Sequence, residues 1–193
     1  MKVVGIVGSR RKGGNSSALI KSVLAPLEAA GADTETIFLG DYEIDACTGC
    51  EGCANSFDCV ITDGYQAVIE AIDGADAVVL ASPTYWYSVT SDMKRFIDRS
   101  YSLIQYPRNR HEWIGKYGGG GKRCVTVAVC EQSEEEMMGN TSDLLASFAA
   151  DIGLDVVASV KALGFFEAAS VESDPATLDS AWEAGQKLLA GGA

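Results

Sequence analysis

The stretch that decides the fold is KVVGIVGSRRKGGNSS, residues 2–17. Residues 2–7 are mostly apolar and β-branched, which predicts a strand. Gly8-Ser9 ends this strand in a turn. Asn15-Ser16-Ser17 then predicts a helix start, because such side chains accept hydrogen bonds from free backbone N–H groups. Apolar residues recur behind this start at helical spacing, and Pro26 is expected to kink or shorten the helix.

The rest of the chain continues the alternation of strand and helix. Further strands are predicted over residues 34–39, 77–82, 124–130 and 155–160. Further helices are predicted over residues 65–72, 91–101 and 142–152, and Asp174-Pro175 opens a last helix. This alternation predicts an α/β fold, a doubly wound five-stranded parallel sheet in the order 2-1-3-4-5. Ligands of such sheets bind at the carboxyl ends of strands one and three.

Composition narrows the class of protein. The 193 residues suit one large domain, and 47% hydrophobic with 22% charged residues is globular composition. The net charge of −12 disfavours nucleic acid as a partner. No apolar run approaches the roughly 20 residues of a membrane span. The amino terminus shows no signal-peptide pattern, so we expect a cytoplasmic protein that does not bind a membrane. In that reducing compartment, the six cysteines are more typical of ligands or redox groups than of disulfides.

Residues 8–17 form a predicted phosphate-binding loop between the first strand and the first helix. Backbone N–H groups at a helix start attract anions, and glycines let the backbone come close. The loop lacks the Gly-Lys-Ser/Thr of a P-loop and the G-x-G-x-x-G of dinucleotide sites, which favours a monophosphate. An ordinary glycine-rich turn is the alternative. The predicted phosphate donors are Ser9, Arg11, Asn15, Ser16 and Ser17.

Two loops resemble those of a known family. Gly-Ser-x-Arg-x-x-Gly-Asn-Ser over residues 8–16 resembles the FMN-phosphate loop of the NADPH-dependent FMN reductase family, in the flavodoxin-like superfamily. A second motif of this family is SPTYWYS at residues 82–88, which runs into MKRFIDR at residues 93–99. The resemblance implies that the second loop wraps the isoalloxazine ring, and aromatic stacking with backbone hydrogen bonds suits a flat ring with polar edges. The implied ring-binding residues are Pro83, Thr84, Tyr85, Trp86 and Ser88. Taken alone, the aromatic residues here could equally be exposed or part of the core.

The resemblance also implies the domain layout. We expect one flavodoxin-like FMN-binding domain over residues 1–193, with a cysteine-rich insertion after strand two at about residues 43–63.

Four cysteines in this insertion follow the spacing C-x2-C-x2-C-x5-C. They are Cys47, Cys50, Cys53 and Cys59. Compact spacing favours an iron–sulfur cluster over zinc, whose structural sites pair two separated knuckles. The same motif marks the iron–sulfur flavoproteins, a subgroup of the FMN reductase family, and this resemblance implies that the four thiolates ligate a [4Fe–4S] cluster beside FMN. Bare thiols, zinc and a disulfide are the open alternatives. Cys124 and Cys130 fall on a buried strand and need no chemical role.

Three functions fit these features. The first is an FMN-dependent oxidoreductase that passes electrons between NAD(P)H or ferredoxin and a small-molecule or protein acceptor. It would use the cluster as well as FMN, or it would be a plain NAD(P)H-dependent flavin or quinone reductase without a cluster. The second is an electron carrier without its own substrate, and the third is a binding or sensory module. Flavin carries the chemistry, so no catalytic side chain is predicted, and His111 is expected to be a bystander.

Two features outside these motifs remain. The loop over residues 105–122 is locally basic, and either a solvated loop or a cofactor or subunit contact would explain it. The resemblance implies a homo-oligomer, a dimer or a tetramer, in which flavin and cysteine loop approach a neighbouring chain.

Overall fold

The alternation of strand and helix is present throughout the computed structural model, which describes residues 1–190. Residues 191–193, the end of the expected domain range, lie outside the described residues. The strands are β1 (Lys2–Val7), β2 (Asp33–Phe38), β3 (Ala77–Pro83), β4 (Ile104–Gln105), β5 (Ile114–Gly115), β6 (Arg123–Val129) and β7 (Asp155–Ala162). The helices are α1 (Asn15–Ala29), α2 (Gly64–Asp73), α3 (Ser91–Arg99), α4 (Thr141–Asp151) and α5 (Pro175–Leu189).

The main sheet has five parallel strands in the order β2-β1-β3-β6-β7. This confirms the predicted doubly wound, flavodoxin-like order, with β6 and β7 as the fourth and fifth strands. The cysteine-rich segment between β2 and α2 forms no further strand or regular α-helix. β2 lies on one side of β1 and β3 on the other, so the order in which strands are added reverses here. This reversal places a topological switch point at the carboxyl ends of β1 and β3.

Both faces of the sheet are covered, because side chains alternate along each strand. Val4 and Ile6 of β1 point to the face packed by α2, α3 and α4. Val3 and Val7 point to the opposite face, packed by α1 and α5. The two faces give two apolar cores, which together fix the loops at the carboxyl end of the sheet.

Helix α1 continues past Pro26 to Ala29, so the proline does not end it. Its carboxyl-terminal half packs against α5 at Gly185. A Cβ atom added at Gly185 would lie 2.0 Å from the carbonyl oxygen of Val23 and 2.8 Å from Cγ of Pro26. Glycine is therefore required for the close approach of these two helices.

The basic loop over residues 105–122 is exposed over residues 107–114 and packs against the rest of the chain near its end. Strands β4 and β5 form a short antiparallel pair within this region. Tyr117 is buried, and its hydroxyl donates to Asp73 at 3.0 Å. Lys116 forms an ion pair with the same carboxylate at 2.8 Å, while Lys122 donates to the Asp73 carbonyl at 3.1 Å. These lysines therefore neutralise the carboxyl end of α2. Over residues 1–190, no helix has both the length and the apolar character needed to cross a membrane.

Candidate functional site

A cavity of about 110 Å³, here called the switch-point cavity, opens where β1 and β3 end. Its walls come from the loops that follow β1, β3, β6 and β7. The parallel strands end at the same edge of the sheet, which brings these four loops together from distant parts of the chain. The chain therefore has a cavity with polar and apolar walls where its topology predicts a ligand site.

The loop after β1 is fixed to the start of α3. The Gly8 N–H donates to the Ala81 carbonyl at 2.8 Å, and the Thr90 hydroxyl donates to the Gly8 carbonyl at 2.7 Å. A Cβ atom added at Gly8 would lie 2.9 Å from Cβ of Met93, so this position requires glycine. Thr90 also caps α3 by accepting from the Met93 N–H at 3.2 Å.

Arg10 lies on the side of this loop that faces α3. Its guanidinium donates to both carboxylate oxygens of Asp92, at 2.6 and 2.9 Å. This hydrogen bonding, helped by the Arg10 charge, holds the pKa of Asp92 below its usual value against the opposing effect of burial. Arg10 thus links the loop after β1 to α3.

The anion-binding part of the cavity is the start of α1. The backbone N–H groups of Asn15 and Ser16 have no acceptor within residues 1–190, as is usual for the first turn of a helix. Ser9 and Arg11 line the same wall. Arg11 lies 5.5 Å from the ring centroid of Phe166 and donates to the Phe166 carbonyl at 3.3 Å. Free N–H groups, a hydroxyl and a guanidinium together suit a phosphate.

Asn15 connects the first loop to the loop between β7 and α5. Its buried side-chain nitrogen donates to the carbonyls of Phe165 at 3.3 Å and Glu167 at 2.9 Å. Its side-chain oxygen accepts from the Val171 N–H at 3.1 Å. The amide is therefore engaged within the protein, and the structure shows it as a brace between two walls of the cavity.

The aromatic turn, residues 85–88, forms the next wall. The N–H of Tyr85 donates to the Ser88 carbonyl at 2.7 Å, and the reciprocal bond measures 3.2 Å. Trp86 and Tyr87 have φ angles of 50° and 62°, as a type I′ turn requires. Left-handed backbone costs a non-glycine residue about 1–2 kcal/mol. Such strain in two adjacent aromatic residues is typical of a functional site.

The two residues that precede α4 contact the aromatic turn. The Asn140 N–H donates to the Tyr87 carbonyl at 2.9 Å. Gly139 has a φ of 57°, and a Cβ atom there would lie 2.2 Å from the same oxygen. The turn leaves Trp86 93% exposed beside a second cavity of about 400 Å³, here called the aromatic cavity. Buried Cys130 lines the aromatic cavity. It is the last residue of the strand predicted over residues 124–130 and directly follows β6 in the structure.

The four predicted ligand cysteines meet in one place. Cys47, Cys50, Cys53 and Cys59 all line a cavity of about 20 Å³, here called the thiol pocket. The first two are exposed, the last two are half-buried, and all four are free thiols. Arg99 also lines the pocket.

Neighbouring groups in the thiol pocket shift the pKa values of two of the four thiols. The Gly52 N–H and the Thr48 hydroxyl lower the pKa of the Cys50 thiol by hydrogen bonding, which favours its thiolate. Burial raises the pKa of Cys53, and the other three cysteines raise it further because like charges repel.

The donor set, more than the present geometry, fits an iron–sulfur cluster. Four thiolates from one short loop are the ligands such a cluster uses. Over residues 1–190, no three His, Cys, Asp or Glu side chains already converge as a metal site. The thiol pocket has about the volume needed for one water molecule, so the loop would have to spread outward to hold four irons.

A model of the NADPH-dependent FMN reductase family matches residues 1–152. The chain belongs to this family. An iron–sulfur flavoprotein of Archaeoglobus fulgidus is 40% identical over 148 residues, which are 77% of this chain and 64% of that protein. An iron–sulfur flavoprotein of Methanocaldococcus jannaschii is 37% identical over 103 residues, 53% of each chain. The chain spans about half to two thirds of the length of these curated relatives.

The fold is shared more widely than the sequence. The structure of an NAD(P)H:quinone oxidoreductase from Methanothermobacter marburgensis aligns with a TM-score of 0.71 at 17% identity, covering 97% of this chain and 98% of that chain. At this identity the likeness shows the fold alone. The predicted resemblance to the FMN reductase family and its iron–sulfur flavoproteins is confirmed by the sequence matches.

The predicted FMN-binding residues of this FMN reductase family member fall into three groups. The residues that line the switch-point cavity are Ser9, Arg11, Asn15, Ser16, Pro83, Thr84 and Tyr85. Trp86 lines the aromatic cavity instead. Ser17 and Ser88 form hydrogen bonds within the loops themselves. The Ser17 hydroxyl donates to the Arg11 carbonyl at 3.3 Å, and the backbone of Ser88 closes the aromatic turn. Contact with FMN stays a prediction for all ten.

Sequence reasoning missed the walls supplied by the last two strands. Glu131 follows β6, and Phe165 and Phe166 follow β7. No local motif marks them. Their position just after the carboxyl ends of neighbouring parallel strands was the available signal, because such strands end at one edge. His111 is exposed in the loop between β4 and β5 and lines none of the three cavities described above.

Proposed function

We propose that the protein is an FMN-dependent oxidoreductase of iron–sulfur flavoprotein type. It passes electrons between NAD(P)H or a ferredoxin-type donor and a small-molecule or protein acceptor. The observation that carries this proposal is the switch-point cavity, where a helix start rich in free N–H groups meets a strained aromatic turn. Membership of the FMN reductase family supports it.

The cavity residues have separate tasks in binding FMN. The N–H groups of Asn15 and Ser16, with the Ser9 hydroxyl and the Arg11 guanidinium, hold the phosphate. The backbone after β3 and the ring of Tyr85, which line the cavity, would hold the flavin ring and exclude water from one of its faces. FMN bound here would supply the redox chemistry of hydride and electron transfer.

The four cysteines of the thiol pocket are proposed as ligands of a [4Fe–4S] cluster. Their free, partly exposed thiols and the lowered pKa of Cys50 support ligation, because the thiolate is the ligand form. A bound cluster would supply single-electron transfer.

Anaerobic purification with iron, sulfide and FMN assays on one sample tests both cofactors. We expect one FMN per chain with about four irons and four sulfides. Cys53→Ala should lose iron and keep FMN, whereas the matched control Cys124→Ala, a buried thiol on β6, should keep both. FMN without iron after cluster reconstitution would remove the cluster from the proposal. Absence of FMN after incubation with excess FMN would remove the flavin.

A plain NAD(P)H-dependent flavin or quinone reductase is the second candidate. The small volume of the thiol pocket favours it, since the cysteines have not converged as a metal site. Rapid NAD(P)H oxidation with a quinone by iron-free protein would support it.

A non-enzymatic electron carrier is the third candidate. The net charge of −12 favours this role, because an acidic surface speeds association with basic partners. Reduction by ferredoxin and not by NAD(P)H would support the carrier.

We further propose a cytoplasmic homo-oligomer, either a dimer or a tetramer. Exposed thiols suit a reducing compartment. Trp86, Trp113 and Phe166 are large apolar side chains left exposed in one chain, which favours a contact between copies. Light scattering coupled to size-exclusion chromatography measures the mass directly, and a monomer at micromolar concentration would contradict this proposal.

A further inference from the structure

Arg99, the last residue of α3, is almost completely buried beside the thiol pocket. The residue is 1% exposed, although arginine is rarely buried without partners. One terminal nitrogen, Nη1, donates to the Asp63 carboxylate at 2.6 Å and to the Asp45 carbonyl at 3.0 Å. The other, Nη2, donates to the Ile61 carbonyl at 2.9 Å. The guanidinium also lies 4.9 Å from the ring centroid of Tyr65. Arg99 thus joins the two ends of the cysteine-rich loop.

The third nitrogen of the guanidinium, Nε, donates no hydrogen bond to the described part of the chain. Within residues 1–190, Nε of Arg99 is the one fully buried side-chain nitrogen or oxygen without a hydrogen-bond partner. An orphaned buried N–H destabilises a protein, so native structures rarely keep one without a functional reason. The side chain that carries this N–H forms the wall of the pocket shared by Cys47, Cys50, Cys53 and Cys59.

We propose that Arg99 donates a hydrogen bond from Nε to a sulfur of the cluster held by these four cysteines and thereby raises the reduction potential of the cluster. This inference rests on the proposed [4Fe–4S] cluster. Reduction adds a negative charge, and a nearby cation with an N–H donor stabilises the reduced form more than the oxidised form. Arg99 then sets the potential through direct contact with the cluster.

Helix α3 offers a matched control. Arg95 lies one turn earlier and donates to the Ile44 carbonyl at 3.1 Å, beside the start of the cysteine-rich loop. It does not line the thiol pocket. Arg95→Gln therefore removes the same charge from the same helix without removing a donor from the pocket.

The test is a redox titration of the anaerobic, full-length protein followed by electron paramagnetic resonance, with bound FMN as the internal reference. Arg99→Gln should lower the reduced-to-oxidised ratio of the cluster about tenfold at a fixed potential, which corresponds to about 59 mV for a one-electron couple. Arg99→Lys, which keeps the charge, should shift it less, and Arg95→Gln should not shift it. Equal cluster midpoints in wild type and Arg99→Gln would overturn the inference while leaving the proposed function intact.

A second measurement needs no variant and covers the case in which Arg99→Gln fails to fold or loses its cluster. Wild-type protein labelled with ¹⁵N-arginine is reduced and studied by pulsed electron paramagnetic resonance. We expect a hyperfine coupling from the labelled nitrogen and from one exchangeable proton, both kept in Arg95→Gln. Loaded wild type without this coupling would overturn the inference. Wild type that binds no iron would overturn the cluster itself, a distinct outcome.

Discussion

Replacing Asn15 with alanine tests whether this side chain braces the cavity or serves only to bind FMN. Three good hydrogen bonds depend on it, two from its nitrogen and one to its oxygen, at 2.9–3.3 Å. Each is worth about 1 kcal/mol net. Asn15→Ala should therefore lower the free energy of unfolding of the FMN-free protein by about 3 kcal/mol. In a chain of this length the melting temperature should fall by about 6–12 °C.

The assay separates the two roles because it is made without FMN. Urea unfolding of the FMN-free variant, followed by circular dichroism, measures the brace, and quenching of FMN fluorescence then measures binding. Ser17→Ala is the matched control, since it lies in the same helical turn and makes one bond, to the Arg11 carbonyl at 3.3 Å. Its expected cost is about 1 kcal/mol or less.

One result would refute the bracing role. If FMN-free Asn15→Ala unfolds within about 0.5 kcal/mol of wild type, the buried amide contributes no more than an ordinary surface position. A loss confined to FMN affinity would then assign Asn15 to the phosphate alone, as the sequence pattern first indicated.

Three further predictions concern the supports of the site. Gly139→Ala places a Cβ atom 2.2 Å from a carbonyl of the aromatic turn, so it should cost about 1–3 kcal/mol of stability and weaken FMN binding in a fluorescence titration. The control Gly74→Ala, whose added Cβ atom would have no neighbour closer than 3.5 Å, should do neither. Hydrogen bonding from Arg10 lowers the pKa of Asp92 in the folded protein. The ion pair therefore contributes its full stabilisation above the pKa of Asp92 in the unfolded chain, about 3.9. The contribution is lost as the pH falls through the lower pKa of the folded protein. Asp92→Asn should therefore flatten the dependence of the unfolding free energy on pH in acid, and an unchanged slope in urea titrations would contradict the pair's role. Gly185→Ala brings a Cβ atom 2.0 Å from an α1 carbonyl and should lower the melting temperature of the FMN-free protein without changing the FMN affinity of the molecules that remain folded.

Local patterns were sufficient to predict the main architecture. The apolar run over residues 2–7 became β1, and Asn15 became the first residue of α1. The capping expected at this start is absent, because Gly14 is the N-cap of α1 and no side chain caps the helix. Asp174-Pro175 became a capped helix start, since the Asp174 carboxylate accepts from the Thr177 N–H at 3.3 Å. Strand order followed from the βαβ alternation, because parallel crossovers leave few arrangements of five strands.

What could not be predicted depends on contacts between distant segments. Strands β4 and β5 have two residues each, too short for any periodicity to mark them. The side-chain amide of Asn15 looked like a free phosphate donor, but its partners lie some 150 residues away in sequence. No sequence pattern marks Arg99 at the end of α3 as buried, and only the packed loop around it shows a buried donor.

Helix α3 connects the two candidate cofactor sites. Its start is held by Thr90, whose hydroxyl binds the Gly8 carbonyl in the phosphate loop, and its end is Arg99 in the wall of the thiol pocket. Nine helical residues place these ends about 12 Å apart. Both ends are anchored by buried polar groups that cannot move without losing a partner, so within one chain this spacing is rigid.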